Sequence, residues 1–210
     1  MKVVGVVCSP RVGGNTEILV GEVLAGARSE GAETELITLA DKRIEFCDAC
    51  GRCEGDGHCH IQDDMQPIYR KLEEADGVVV GSPVWFWSVT GQAKTFLDRL
   101  YAMQYPKKRL MNKVGAAVVV AGRQGKTRAL DVILEALRSH RMILADTIDG
   151  LGYEPGEIRR DERAMRSAWE LGREMVQLIN KRFTWPDEFG ESLYRLVMRK
   201  YKVSRLPRQQ

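Results

Sequence analysis

The sequence predicts a doubly wound α/β fold: a five-stranded parallel sheet of order 2-1-3-4-5, helices on both faces, and a C-terminal extension. Three observations predict it. Five short β-rich apolar runs alternate strictly with five segments of helical periodicity. The first run, Val3–Cys8, is continuously apolar, as in a strand buried on both faces. The chain has 210 residues, enough for one sizeable domain or one domain with an appendage.

Each element can be justified in turn. Val3–Cys8 is the first strand. GNTEILVGEVLAGARSEG follows as a helix with Leu19, Val23 and Ala27 on one face. TELITL, residues 34–39, is the second strand, and a cysteine-rich segment follows it. DDMQPIYRKLEEAD is the next helix, with Met65, Ile68 or Tyr69, Leu72 and Ala75 on one stripe. Asp64 is its expected N-cap, which leaves Pro67 in the first turn, where its missing N–H costs nothing. GVVVGSP is the third strand and GQAKTFLDRLYAM the helix after it. KVGAAVVVAG is the fourth strand. TRALDVILEALRSH then repeats as a helix through Leu130, Ile133 or Leu134, and Leu137. MILADTI is the fifth strand. From Asp161 to about Phe183 runs a long helix whose stripe is Met165, Ala168 or Trp169, Gly172, Met175 or Val176, Ile179 and Phe183. The main domain is expected over 1–183. Residues 184–210 form an extension that is basic from Arg195, with a short helix around 188–201 packed on a neighbouring subunit or on its own sheet.

Composition excludes several classes. The chain is 44% hydrophobic and 29% charged, ordinary for a globular protein, and its net charge of +3 gives no global sign of nucleic-acid binding. No apolar run approaches the roughly 20 residues of a membrane helix. MKVVGVVCSP enters a strand directly and lacks the cleavage site of a signal peptide. A cytoplasmic location is expected. Clustered thiols in that compartment more often bind metal or do redox work than form structural disulfides.

Two loops at the carboxyl ends of strands suggest a ligand. SPRVGGNT joins the first strand to its helix. Its glycines, Gly14 among them, let backbone N–H groups converge. Ser9, Asn15 and Thr16 add side-chain donors, Arg11 adds charge, and the helix N-terminus adds its dipole. This pattern suits a phosphate. It is neither the dinucleotide G-x-G-x-x-G nor a Walker A loop; the bland reading is a plain glycine turn. SPVWFWSVTGQAK follows the third strand, so Trp85, Phe86 and Trp87 fall beside the switch point, where such sheets hold a flavin mononucleotide (FMN). At least one of the three is expected in the core, because alternate side chains of an extended segment point opposite ways. AGRQGKT, after the fourth strand, has glycines and donors suited to a ring's polar edge.

The cysteine segment is FCDACGRCEGDGHCHIQDDM. Cys47, Cys50, Cys53 and Cys59 give C-x2-C-x2-C-x5-C, with glycines at the bends. Four local thiolates suit one [4Fe–4S] cluster. Zinc, with His58 or His60 in place of a thiol, is a second reading. Disulfides and a purely structural loop are others. His58 and His60 otherwise read as solvated loop residues, Asp63 and Asp64 as helix-capping acids, and Cys8 as inert packing. Lys94, Asp98 and Arg99 read as helix-face charge pairs.

Together, SPRxxGNT, the DD-M-x-x-I-Y helix, ADGVVVGSPV, the aromatic loop and GQAKTFLDR resemble the flavodoxin-like NADPH-dependent FMN reductases over roughly residues 1–180. The cysteine run is similar to that of the iron–sulfur flavoproteins within that group. The resemblance implies FMN held through its phosphate at Ser9, Arg11, Asn15 and Thr16. It implies ring contacts from Pro83, Val84, Trp85, Phe86 and Trp87 and from Ala121, Gly122 and Gly125. It also implies a [4Fe–4S] cluster on Cys47, Cys50, Cys53 and Cys59. The expected activity is oxidoreduction, with electrons passing between FMN and the cluster. NAD(P)H or a ferredoxin would be the donor, and a small molecule or protein the acceptor. The alternatives are an NAD(P)H-dependent FMN or quinone reductase without a cluster, and a zinc-stabilised binding protein. The cysteine loop leaves an edge strand, about 10 Å from strand three at roughly 4.8 Å per strand. A homodimer or homotetramer, each cluster facing the other subunit's FMN, is therefore expected.

Overall fold

The computed structural model describes residues 1–185; the helix expected around 188–201 lies outside the described residues. The strands are β1 (Lys2–Val7), β2 (Glu33–Thr38), β3 (Gly77–Pro83), β4 (Val114–Ala121) and β5 (Ile143–Leu151). All pair in parallel, in the order β2-β1-β3-β4-β5. The helices are α1 (Asn15–Ser29), α2 (Cys53–Asp56), α3 (Met65–Glu74), α4 (Gly91–Arg99), α5 (Lys126–Ser139) and α6 (Glu162–Asn180).

Alternation within the strands divides the core into two layers. Val3, Val7, Val79 and Val118 pack with α1 and α6 on one face. Val4, Val6, Val78, Val80 and Val119 pack with α3, α4 and α5 on the other. Because both faces are covered, the strands read as unbroken apolar runs. Phe96 of α4 is wholly buried in the second layer, and such burial is worth roughly 1.5–3 kcal/mol. Helices α1 and α6 meet at unusually close range. A Cβ on Gly26 would lie 1.9 Å from the Trp169 carbonyl oxygen, and one on Gly172 would lie 1.9 Å from that of Val23.

Several boundaries differ from the sequence expectation. Strand β5 runs on to Leu151, because its last residues stay in register with β4 as far as Ala121. The α-helix after β3 stops at Arg99 and tightens into a 3₁₀ turn, Leu100–Gln104. A short α2 forms inside the cysteine segment. Helix α6 ends at Asn180, so Phe183 lies beyond it and is exposed, while Leu171 joins the buried stripe. No helix among the described residues is long and apolar enough to cross a membrane.

The strand order reverses at β1, from which the chain steps outward to β2 on one side and to β3 on the other, and this switch point opens a crevice between the loops that follow β1 and β3. Buried polar residues set its walls. The Thr90 hydroxyl donates to the Cys8 carbonyl (2.7 Å) and accepts from the Ala93 N–H (3.0 Å), so it caps α4 and joins the two loops. The Ser82 hydroxyl accepts from the Thr90 N–H at 3.2 Å.

Candidate functional site

The crevice is lined by Ser9, Arg11, Gly14, Asn15, Thr16, Pro83, Val84, Trp85 and Gly122, as expected positions, and by Val120, Gly152, Tyr153 and Pro155 as additional ones. Phe86, Trp87, Ala121 and Gly125 are not among its lining residues. Helix α1 starts at the bottom of the crevice with Gly14 as N-cap and no side-chain cap. The backbone N–H groups of Asn15, Thr16 and Glu17 have no protein acceptor among the described residues. Unpaired first-turn amides are the positive end of the helix and suit an anion. The exposed Arg11 adds a cation to the same wall.

Other donors of this loop are already engaged. The Ser9 hydroxyl accepts from the Arg11 N–H (3.1 Å) and shapes the turn. Gly13 faces away, its N–H donating to Glu17 Oε2 at 2.7 Å. Asn15 was expected to serve as a phosphate donor, but its amide bridges to the loop after β5. Nδ2 donates to the Glu154 carbonyl (2.8 Å), and Oδ1 accepts from the Ile158 N–H (3.3 Å). Asn15 thus pins Tyr153 and Pro155 to the crevice wall. Sequence reasoning missed that loop because it ended the fifth strand at Ile148; the rule that ligands sit at the carboxyl ends of strands could have found it.

The aromatic loop departs from expectation. None of its three rings is in the core: Trp85 is 53% exposed, Phe86 97% and Trp87 52%. Trp85 and Ser88 pair as an isolated antiparallel bridge, with Phe86 (φ 43°) and Trp87 (φ 72°) as the turn between them. Positive φ at both central residues is the hairpin turn that Asn-Gly normally fills. Extended alternation does not apply to a two-residue turn, so both rings face outward. Lys126, the first residue of α5, forms an ion pair with Asp149 rather than turning to the crevice.

The cysteine segment forms a second centre on the rim, leaving β2 and packing on the α3–α5 side of the sheet. All five cysteines are free. Cys53 and Cys59 are partly buried against the core, while Cys47 and Cys50 are exposed. Burial pushes the Cys53 thiol up first, and the neighbouring Cys59, Cys50 and Cys47 add to the rise. Cys8, buried behind β1, is pushed far up by burial alone and is chemically quiet. His60 is not simply solvated: its Nε2 lies 2.7 Å from Asp48 Oδ2, and Asp48 Oδ1 accepts from the Cys50 N–H at 3.2 Å. Hydrogen bonds from Cys50 and then His60 bring the Asp48 carboxyl down to about 2.

Two expectations about charged residues are corrected. Lys94 and Asp98 form the expected helix-face pair. Arg99, grouped with them, instead has a fully buried side chain, bound to Asp63 at 2.6 Å and 3.1 Å. One residue further along the helix turns it by about 100°, from the surface to the core. Asp64 occupies the N-cap position of α3 without capping through its side chain. It accepts from the Arg43 N–H at 2.7 Å, and Asp63 Oδ1 accepts from the Met65 N–H at 3.0 Å.

Comparison with known proteins identifies the family and the fold. The family model for NADPH-dependent FMN reductases matches residues 1–149. An iron–sulfur flavoprotein of Methanocaldococcus jannaschii is 39% identical over 194 residues, covering 86% of this chain and 100% of the relative. An iron–sulfur flavoprotein of Methanosarcina thermophila is 32% identical over 184 residues, covering 85% of this chain and 95% of the relative. Among solved structures, RosB with bound 8-demethyl-8-formylriboflavin-5′-phosphate superimposes with a TM-score of 0.76 at 17% identity. It covers 100% of this chain and 90% of its own. A flavodoxin from the domain Archaea gives a TM-score of 0.55 at 17% identity, over 86% of this chain and 99% of its own. At these identities the structural matches show the shared flavodoxin-like fold.

Proposed function

Since this chain belongs to the NADPH-dependent FMN reductase family and, within it, to the iron–sulfur flavoproteins, we propose that it is an oxidoreductase with FMN in the crevice and a [4Fe–4S] cluster on the cysteine loop. The observation that carries this reading is the pairing of two unlike centres on one rim. One offers three unpartnered amides and a cation to a phosphate; the other carries four free thiols within thirteen residues of one loop. Flavin and cluster together supply transfer of electrons singly or in pairs.

The residues present fit both groups. The amides of Asn15, Thr16 and Glu17, with Arg11, would hold the phosphate. Trp85, Tyr153 and the Gly122 backbone would bound the rest of the crevice. Cys47, Cys50, Cys53 and Cys59 would ligate iron. The protein's part is to bind and orient, and none of its side chains need act as acid, base or nucleophile. NAD(P)H or a ferredoxin is the donor class, and a small molecule or protein the acceptor. The free thiols are consistent with a cytoplasmic setting. Residues 1–183 would form the FMN-binding domain. The exposed Trp85, Phe86 and Trp87, with Phe46 at 78% exposure beside the cysteines, support pairing of subunits across this rim.

A second reading has its own observation. Asp48, Cys50 and His60 place ligand atoms within 4.8 Å of one another, a set that zinc would accept. Metal analysis of the wild type separates the readings, and Cys50→Ser tests that the metal sits on this loop and not in the crevice. In the iron–sulfur reading that variant loses iron and sulfide and keeps FMN, since the two sites use different loops. Wild-type protein prepared anaerobically with stoichiometric zinc and no iron would sink that reading.

A further inference from the structure

The cysteine loop is a long excursion closed at its base, and one buried ion pair, Arg99 with Asp63, sits within that closure. Arg43 and Asp64 face each other across the base: the Arg43 N–H donates to Asp64 Oδ2 (2.7 Å), and the Asp64 N–H donates to the Arg43 carbonyl (3.2 Å). The Glu45 N–H donates to Asp63 Oδ2 at 2.8 Å, 18 residues away in the chain. Into this base projects Arg99, from the end of α4. Its Nη1 donates to the Glu45 carbonyl (2.9 Å) and to Asp63 Oδ2 (2.6 Å), and its Nη2 donates to Asp63 Oδ1 (3.1 Å). The Arg99 side chain is 0% exposed and that of Asp63 is 5% exposed. One planar guanidinium therefore joins both strands of the loop's base, which a point-charge ammonium cannot copy.

The same residue reaches the thiol side. The Tyr69 hydroxyl donates to the Arg99 carbonyl at 2.8 Å, and Tyr69 belongs to the core against which Cys59 packs. Gln66 Nε2 donates to the Cys59 carbonyl at 3.1 Å. Although burial alone would lower it, the Arg99 guanidinium is held charged by Asp63 and then by Tyr69 and Cys59. A second arginine acts further along the loop: Arg109 Nη2 donates to the Gly57 carbonyl at 2.6 Å and the Ala102 carbonyl at 3.2 Å.

We propose that Arg99 is the positioning residue of the cysteine loop, clamping its base so that Cys47, Cys50, Cys53 and Cys59 are brought together by the protein and not by the metal alone. The role does not require Arg99 to touch any cofactor. It rests on the iron–sulfur reading only for the identity of the group the thiols receive; the clamping itself is a property of this chain.

Two measurements on the full-length, FMN-loaded protein test it. One is amide hydrogen exchange over residues 43–64, with and without iron. The other is the rate of iron release to a ferrous chelator from anaerobically reconstituted protein. Wild type should protect the Glu45 and Asp64 amides in both states. Arg99→Met should lose that protection and release iron about 10–100-fold faster, the usual range for a residue that orients ligands from behind. FMN content should be unchanged, because the crevice uses other residues. Arg99→Lys, which keeps the charge without the fork, should fall between the two. If Arg99→Met does not fold, Arg99→Lys decides. Wild-type release rates and protection in Arg99→Lys would overturn the proposal, as would free exchange over 43–64 in the iron-free wild type. Failure of the iron–sulfur reading is distinct: wild type would take up no iron, while the exchange comparison would still report on Arg99.

Discussion

Replacing Gly57 with alanine should unseat the cysteine loop while leaving the sheet intact. Gly57 ends α2 in the left-handed region at φ 81°, and its N–H donates to the Cys53 carbonyl at 2.8 Å. An added Cβ would stand 2.0 Å from the Tyr105 carbonyl oxygen and 2.9 Å from its carbonyl carbon. Both are backbone atoms, so no side-chain rotation relieves the clash. The left-handed conformation costs an L residue roughly 1–2 kcal/mol, and overpacking a well-packed site roughly 1–3 kcal/mol. Together, roughly 2–5 kcal/mol falls on a segment whose seating depends on Arg109 and the clamp at its base. That exceeds what one or two hydrogen bonds return, at about 1 kcal/mol each, so the loop should lift off. The assay is iron content after anaerobic reconstitution, beside FMN content and the urea unfolding curve. Iron should fall sharply and FMN should stay. Wild-type iron content with an unchanged unfolding midpoint would refute the close packing of Gly57 beneath Tyr105.

Three further outcomes follow from the geometry. Asn15→Ala breaks both ties to the loop after β5 and should cost about 1–2 kcal/mol; it should also weaken FMN binding through loss of the Tyr153 wall, read by equilibrium dialysis. Phe86→Asn combined with Trp87→Gly relieves two positive-φ residues and should raise stability by about 1–2 kcal/mol, read by thermal melting; a fall in melting temperature would contradict the turn assignment. His140 is buried, and that burial, then Lys108 and Arg109, lower its pKa from 6.5 to about 4. The unfolded chain therefore binds a proton below pH 6.5 that the native state refuses until about pH 4, so stability falls as pH drops through that window. His140→Gln should remove about 3 kcal/mol of that pH dependence, measured as urea unfolding at the two ends.

The sheet was legible because its strands are buried on both faces, which writes them as unbroken valine-rich runs. The helix stripes were legible because each helix buries a single face, which writes a period of about 3.6 residues. That SPRVGGNT lines a crevice could be read from the sequence, but which of its polar atoms stay unpaired could not. Asn15 looks like a free donor until the loop after β5 folds back onto it. Arg99 was hidden by its neighbours: Lys94 and Asp98 satisfy the spacing of a surface pair, and only the phase of Ala93, Phe96 and Leu100 places Arg99 toward the core. Asp63 and Asp64 were visible as an acidic pair, yet their partners lie 36 residues away at Arg99 and 21 away at Arg43. Such long-range polar closure leaves no periodic trace. The aromatic turn misled for a local reason, since strand alternation was extended into residues that reverse the chain.

The central claim is that one chain carries a flavin in the crevice and an iron–sulfur cluster on the cysteine loop. Anaerobic purification, followed by quantitation of FMN, iron, acid-labile sulfide and zinc beside the absorption spectrum, tests it most directly. The account predicts one FMN and about four irons and four sulfides per chain, with flavin bands on a broad shoulder that bleaches on reduction. FMN without iron or sulfide, or zinc in their place, would contradict it.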